Sequence, residues 1–310
     1  MTMPFPELPL PAAGWVALPH LGLIKAEGED AASFLHNQLT QDVLLLQPGQ
    51  ARWAAWCNAK GRMQASLVVS KRSANEIWLV CRQDLLAQTL KRLSMFVLRA
   101  KVKLSDASAQ HQVLGLVGSA VAAAHPHVPW QCVHDERGAQ QIILYPALGQ
   151  PRALWIAPLD HPVPPGEPLT SAQWAYGEVM SGVAWVEPAT FEAFVPQMLN
   201  YESVDGVNFK KGCYPGQEVV ARSQFRGTLK RRAYLVRSSV ALTAGDEVFS
   251  AADPSQPCGL IAQAASLGEV HVAVAELQVQ AAQAADLHWR ASDGPALQLL
   301  PLPYALRDDL

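Results

Sequence analysis

The chain has 310 residues, with 24 Lys and Arg, 27 Asp and Glu and a formal net charge of -3. At about 150 residues per domain this predicts two domains, or three small ones, with a core that needs no disulfide or metal support. Charged residues are 16%, against roughly 25% in an average soluble domain, which excludes a disordered tail, a coiled coil and a polycationic nucleic-acid protein.

Residues 21–26 alternate weakly and predict a strand. Asp30 is the expected N-cap of a short helix, about 31–38, with Phe34, Leu35 and Leu39 on one face. Residues 51–57 and 63–70 are apolar runs around Asn58-Ala-Lys-Gly61 and predict a hairpin. Residues 77–81 predict a strand. Residues 83–94 carry apolar side chains at 85, 86, 90 and 93, a helical spacing. A strand at 101–105 follows. This mixed order predicts an α+β lobe on an antiparallel sheet.

Residues 111–124 predict a strand and then an alanine-rich helix. Residues 131–134 and 140–145 read as a second hairpin, the start of a second α+β unit. The stretch Asp160-His-Pro-Val-Pro-Pro-Gly166 is a connection, and a helix over about 171–180 follows. From Ala233 short apolar segments (233–237, 247–250, 260–265, 270–275, 287–291) alternate with Gly, Pro, Asp and Ser. That spacing predicts a small all-β domain, sandwich or barrel.

The five cysteines are odd in number and contain no CxxC, which argues against a disulfide framework and a zinc ribbon. His125-Pro-His127 with Cys132-Val-His134 matches no tetrahedral metal spacing. The N-terminus lacks the basic and apolar regions of a signal peptide. The longest apolar run, near residues 113–124, is shorter than the roughly 20 residues of a membrane span. The expectation is a cytoplasmic globular protein with no membrane partner. Trp53 and Trp56, three apart in one strand, are expected on opposite faces.

Asn208-Phe-Lys-Lys-Gly-Cys-Tyr-Pro-Gly-Gln-Glu218 is the most unusual segment. Pro215 and Gly216 mark a turn, and a helix can start at Gln217. Cys213 then lies close to a helix N-terminus and to Lys210 and Lys211, a setting that favours thiolate over thiol. Gly212 leaves the sulfur accessible. Residues 210–237 hold eight Lys and Arg against Glu218 alone, a local charge of +7, which leaves -10 on the rest of the chain. Such a segment can attract a polyanion, a polyglutamate tail or RNA phosphates.

Lys211-Gly-Cys-Tyr-Pro-Gly-Gln-Glu218, followed by Val219-Val-Ala-Arg222 and Arg226-Gly227, resembles the signature of the YgfZ family of folate-binding, tRNA-modification-related proteins. That family is related to the aminomethyltransferase (T-protein) of the glycine cleavage system. Phe34-Leu-His-Asn-Gln-Leu-Thr-Gln-Asp-Val43, Cys57-Asn-Ala-Lys-Gly-Arg62 and Phe194-Val-Pro-Gln-Met-Leu-Asn200 resemble further stretches of the family. The likeness covers most of residues 14–237. The C-terminal 70 or so residues match only in strand-rich character.

The resemblance implies an α+β, T-protein-like ring of two lobes with a central hole, closed by a C-terminal β-barrel. The expected division is 1–232 for two interleaved lobes and 233–310 for the barrel. It implies a tetrahydrofolate or derivative in the hole. Lys211, Gly212, Tyr214, Gln217, Glu218, Arg222, Glu178, Gln38 and Asp42 would serve that ligand, and Cys213 would be the functional thiol. Lys210, Lys211 and Arg222 would steer anions or keep the thiolate charged, while Gln217 and Glu218 orient the loop. Many relatives carry L-R-x-x-x-G-I-P where this chain has Tyr176-Gly-Glu-Val-Met-Ser-Gly-Val183. Glu178 thus replaces an arginine, and its carboxylate could accept from pterin N–H groups.

The function implied is that of an accessory protein for iron–sulfur enzymes, including those that thiolate tRNA, with iron–sulfur enzymes or assembly proteins and tRNA as partners. Cys213 could ligate a cluster transiently, sense redox state or attack a substrate. A folate-dependent one-carbon transferase is a second reading. An RNA-binding module built on residues 210–237 is a third.

Overall fold

The structure, a computed structural model, describes residues 8–121, 127–225 and 229–307. The chain opens with β1 (Ala13–Ala17), β2 (Leu21–Glu27), α1 (Ala31–His36), β3 (Ala51–Cys57), β4 (Met63–Ser73), β5 (Glu76–Arg82), α2 (Gln83–Met95) and β6 (Lys103–Asp106). Next come β7 (His111–Gly118), β8 (Cys132–His134), β9 (Gln140–Ala147), β10 (Gln150–Pro158), α3 (Ser171–Met180) and α4 (Gln217–Phe225). It ends with β11 (Arg231–Ser238), β12 (Glu247–Ser250), β13 (Gly259–Leu267), β14 (Val270–Gln278), α5 (Val279–Ala284), β15 (Leu287–Trp289) and β16 (Ala296–Leu300).

Two five-stranded antiparallel sheets form, in the orders β3-β4-β5-β2-β6 and β1-β7-β10-β9-β8. The lobes interleave because β1 pairs with β7, across the whole of the other sheet in sequence. Trp130 joins the sheets: its N–H donates to Ile143 O of β9, and its carbonyl accepts from Ala51 N of β3. To do so it takes φ 70°, a left-handed conformation rare for a bulky residue. The pleat places Trp53 in the core shared by both sheets and Trp56 in the core under α1 and α2. Helix α2 buries Leu85, Leu86 and Leu93 at the predicted spacing. Helix α3 starts at a capping box, in which Gln173 N donates to Thr170 Oγ1 and Thr170 N donates to Gln173 Oε1.

Strands β11 to β16 close into a barrel, as expected. It starts at Arg231, and the short helix α5 interrupts a region read as all-β. Four elements lie where none is predicted: β1, β10, β16 and α5. Asp30 precedes α1 without capping it, because its carboxylate accepts instead from Lys101 N. The expected alanine-rich helix falls largely on residues 122–126, outside the described residues, as does His125. Among the described residues no helix is long and apolar enough to cross a membrane, and no group of three or more His, Cys, Asp or Glu gathers to hold a metal.

Asn200 attaches the barrel to the rest. It is fully buried with φ 57°. Its Nδ2 donates to Ala233 O at 2.9 Å, and its Oδ1 accepts from Ala233 N at 3.3 Å. Short polar side chains tolerate this conformation better than alanine does. Asn200→Ala is expected to cost about 3 kcal/mol, from two lost buried hydrogen bonds and added backbone strain. A lowered urea midpoint at unchanged slope would show it.

Candidate functional site

The motifs scattered along the sequence meet at one loop. Thr40 Oγ1 donates to Gly206 O at 2.7 Å, and Gln41 Nε2 donates to Asp205 O at 2.6 Å. Asn208 N donates to Thr40 O. These bonds lay residues 205–212 along the segment that follows α1. Gly61 and Gly216 allow a second contact. Gly216 has φ +80°, and a Cβ on it would lie 2.5 Å from Gly61 Cα, so the two turns touch backbone to backbone. Gln197 Nε2 donates to Val220 O in α4 at 2.7 Å, and Arg62 Nη1 donates to Ala193 O.

Cys213 is exposed on this loop, and α4 begins at Gln217 as expected. Lys211 turns inward, contrary to the expectation that it faces incoming anions. Its Nζ donates to His36 O at 2.5 Å, Leu39 O at 3.1 Å and Gly212 O at 3.3 Å. The ammonium also stands 4.5 Å over the buried ring of Tyr214. Burial pushes the Lys211 ammonium down to about 8, against the opposing pull of Asp42 and Cys213. Asp42 Oδ1 lies 3.2 Å from His36 Nδ1 and accepts from Leu45 N. Gln38 Oε1 is buried without a partner. Gln217 is half-buried, while Glu218 and Arg222 are exposed.

The +7 segment does not present a single basic edge. Lys211 is spent on carbonyls, Arg231 is held by both oxygens of Glu276, and Arg232 pairs with buried Glu202 at 2.8 Å. Arg226 and Gly227 lie outside the described residues. Local counting along the chain missed Glu202 and Glu276, which lie outside that segment in sequence.

A second site lies where the two sheets, α3 and the barrel meet. Trp53, Trp130, Tyr145, Arg152, Glu178 and Trp185 line a cavity there. Trp53 and Trp130 stack with centroids 5.7 Å apart and planes 9° apart, and Trp185 meets Trp53 edge-on at 4.6 Å. Arg152, on β10, is 2% exposed, and its Cζ lies 4.3 Å from the Trp174 ring. Its Nε and Nη2 have no hydrogen-bond partner. Burial lowers the Arg152 guanidinium to about 10, with Glu178 resisting the shift. Glu178 Oε1 accepts from Trp185 Nε1 at 3.0 Å, and Oε2 accepts from Gln263 Nε2 of β13 at 2.7 Å. As it stands the cavity holds about 20 Å³, room for about one water molecule.

Of the residues assigned to folate from sequence, Glu178 lines this cavity. Lys211, Gly212, Tyr214, Gln217, Glu218, Arg222, Gln38 and Asp42 do not. Arg152, Trp53, Trp130 and Trp185 were missed. The signal for Arg152 was present, since it is the one charge in the otherwise uncharged stretch Gln150–Pro158.

A family model described as the GCVT N-terminal domain matches residues 11–125. The chain is 32% identical to the tRNA-modifying protein YgfZ of Sodalis glossinidius (strain morsitans), over 98% of both chains. It is also 32% identical to the tRNA-modifying protein YgfZ of Edwardsiella ictaluri (strain 93-146), over 70% of this chain and 68% of that one. The crystal structure of glycine cleavage system aminomethyltransferase T from Bartonella henselae matches with TM-score 0.64 at 16% identity, covering 95% of this chain and 86% of that chain. That likeness shows the fold and bears out the T-protein-like arrangement with its closed C-terminal barrel.

The lowered Lys211 gives a test with a definite sign. Between about 8 and its ordinary value of 10.5 the unfolded chain binds this proton and the folded chain does not. Stability from this group therefore rises with pH across that window. Relative to a Lys211→Met variant, wild-type stability to urea is expected to improve from pH 8 to pH 10. A pH-independent difference would contradict the buried ammonium.

Proposed function

The chain belongs to the family of the tRNA-modifying protein YgfZ, and we propose that it is a cytoplasmic folate-binding accessory protein that supports iron–sulfur cluster enzymes and tRNA modification. Arg152 carries this reading. A buried guanidinium with two unpartnered nitrogens, set among aromatic walls, suits the acceptor edge of a pterin. The flat Trp53–Trp130 pair suits the ring face. Each Glu178 oxygen takes one protein donor and keeps a lone pair for a ligand N–H. When bound, tetrahydrofolate supplies nitrogens that carry one-carbon units.

The cavity must widen to admit a pterin, so the aromatic side chains part on binding. Titration with tetrahydrofolate is expected to change tryptophan fluorescence saturably. Arg152→Met should weaken that binding at least about tenfold, as expected for losing hydrogen bonds from a charged donor. Unchanged affinity in the variant, or no binding by wild type, would overturn the assignment.

Cys213 is the thiol that serves the iron–sulfur clients. Its loop lies apart from the cavity lining, so thiol and pterin have separate tasks. Among the described residues Lys210, Arg222 and Lys230 have no ion-pair partner, which leaves them available to phosphates of tRNA or of a client's substrate. Cys213→Ala is expected to keep the fold and the tetrahydrofolate affinity, yet lose support of iron–sulfur enzymes in cells. Full complementation by that variant would remove the thiol from the function.

A further inference from the structure

A cleft between the end of α2 and the turn joining β3 to β4 belongs to neither site described above. Its volume is about 510 Å³, within the range of small-molecule pockets. One wall is the last turn of α2, where Arg92, Met95 and Phe96 are spaced to share a face. Met95 is 69% and Phe96 51% exposed, so this apolar wall stands open to solvent. The buried side is formed by Trp56 of β3 and Gln64 of β4, 2% and 5% exposed. A bulge brings those two together. Trp56 pairs with Ala65 and Cys57 with Met63, so Gln64 is the extra residue in the ladder. A bulge re-aims a side chain that regular alternation would send elsewhere.

Both residues carry an unused polar atom. Trp56 Nε1 is buried with no hydrogen-bond partner. Gln64 Nε2 donates to Glu192 Oε1 at 2.5 Å, and a carboxylate only accepts, which fixes the amide orientation. Gln64 Oε1 is then an acceptor, and among the described residues nothing donates to it. A buried N–H without an acceptor is costly. Arg92 adds a positive charge at the rim. It is half-exposed and stands 3.9 Å from Glu192, a loose contact. Glu192 is already served by the Gln64 and Asn58 amides, which hold its carboxyl below the usual range.

We propose that this cleft binds a nucleotide. The base lies against Met95 and Phe96, its polar edge meets the Trp56 N–H and the Gln64 carbonyl, and Arg92 meets the phosphate. Each nucleobase presents an acceptor beside an N–H on its pairing edge, so one donor and one acceptor recognise a base without choosing among the four. A free mononucleotide and an unstacked base of single-stranded RNA offer this same chemistry. The cleft shares no lining residue with the cavity of Arg152, so the proposal stands apart from tetrahydrofolate binding there. Pro215 also lines the cleft, two residues after Cys213, so its occupant touches the loop that carries the thiol.

Nuclear magnetic resonance on the full chain, with isotopically labelled indole nitrogens, tests this. Each of the nine tryptophans gives one N–H signal, and Trp56→Phe identifies the Trp56 signal by its loss. The probes are AMP, GMP, CMP and UMP, their nucleosides, and an unstructured RNA oligonucleotide. A nucleotide or the RNA is expected to move the Trp56 signal saturably, while those of Trp53, Trp130 and Trp185 stay. A shift with mononucleotides gives a free nucleotide as the ligand, and a shift with the RNA alone gives an unstacked base. Gln64→Met is expected to weaken binding about tenfold, as for one lost buried hydrogen bond. Arg92→Gln is expected to weaken the nucleotide about threefold and leave its nucleoside unchanged. If Gln64→Met loses its near-ultraviolet tryptophan signal and is unfolded, Arg92→Gln, at an exposed position, decides. A Trp56 signal that no nucleotide or RNA moves up to about 1 mM, or that tetrahydrofolate alone moves, would overturn the proposal. So would an Arg92→Gln variant that binds nucleotide and nucleoside as the wild type does.

Discussion

The Glu178 carboxylate lies out of water and has to be satisfied from within the protein. Its hydrogen-bond partners come from different parts of the chain, Trp185 from the loop after α3 and Gln263 from the barrel, while Arg152 of β10 acts on it only through space. Gln263 is bound twice over, since its Oε1 also accepts from Trp185 N. Moving the barrel relative to the sheets would strand a charge in an apolar setting, a penalty of several kcal/mol. The relative placement of the three parts is therefore set by polar satisfaction as well as by apolar burial. The central cavity inherits its shape from that constraint.

Beside this node runs a continuous packed path to the exposed loop. The Trp53 ring closes on Gly206, where a Cβ would come within 2.8 Å of Cδ1. Gly206 O in turn receives the Thr40 hydroxyl, whose oxygen also accepts from Ala55 N of β3. Strand β3 thus presents one tryptophan to the cavity and anchors the segment that carries His36 and Asp42. The two sites are separate in lining but share a scaffold.

Much of the fold was legible because periodicity and turn chemistry are local. The 51–57 and 63–70 hairpin, α2, α3 and the barrel segments all follow from spacing of apolar residues. The functional loop was legible through the octapeptide at 211–218. What failed was pairing in space. Arg152 could not be matched with Glu178, because the two are brought together by a strand and a helix that face each other only in the folded chain. The same reason hid Glu202 and Glu276, which neutralise Arg232 and Arg231. Lys211 misled because an exposed loop sequence gives no hint that one ammonium turns back onto carbonyls at the end of a helix. Cys132 and His134, which match no metal spacing, make other bonds: Gln140 Nε2 donates to the sulfur, and His134 Nδ1 lies 2.6 Å from Arg72 Nη1.

The pairing of β1 with β7 has a consequence for how the chain is made. Residues 13–17 are translated ahead of strands β2 to β6, but their partner at 114–118 follows about a hundred residues later. Strands β2 to β6 are contiguous and can assemble a complete sheet while synthesis continues. The leading segment must wait, unpaired, until that sheet has formed beside it. Its brevity, five residues with solvent-facing positions interspersed, limits the edge it offers to stray partners in the meantime. Strand β1 is thus translated before strands β2 to β6 yet meets its partner after them.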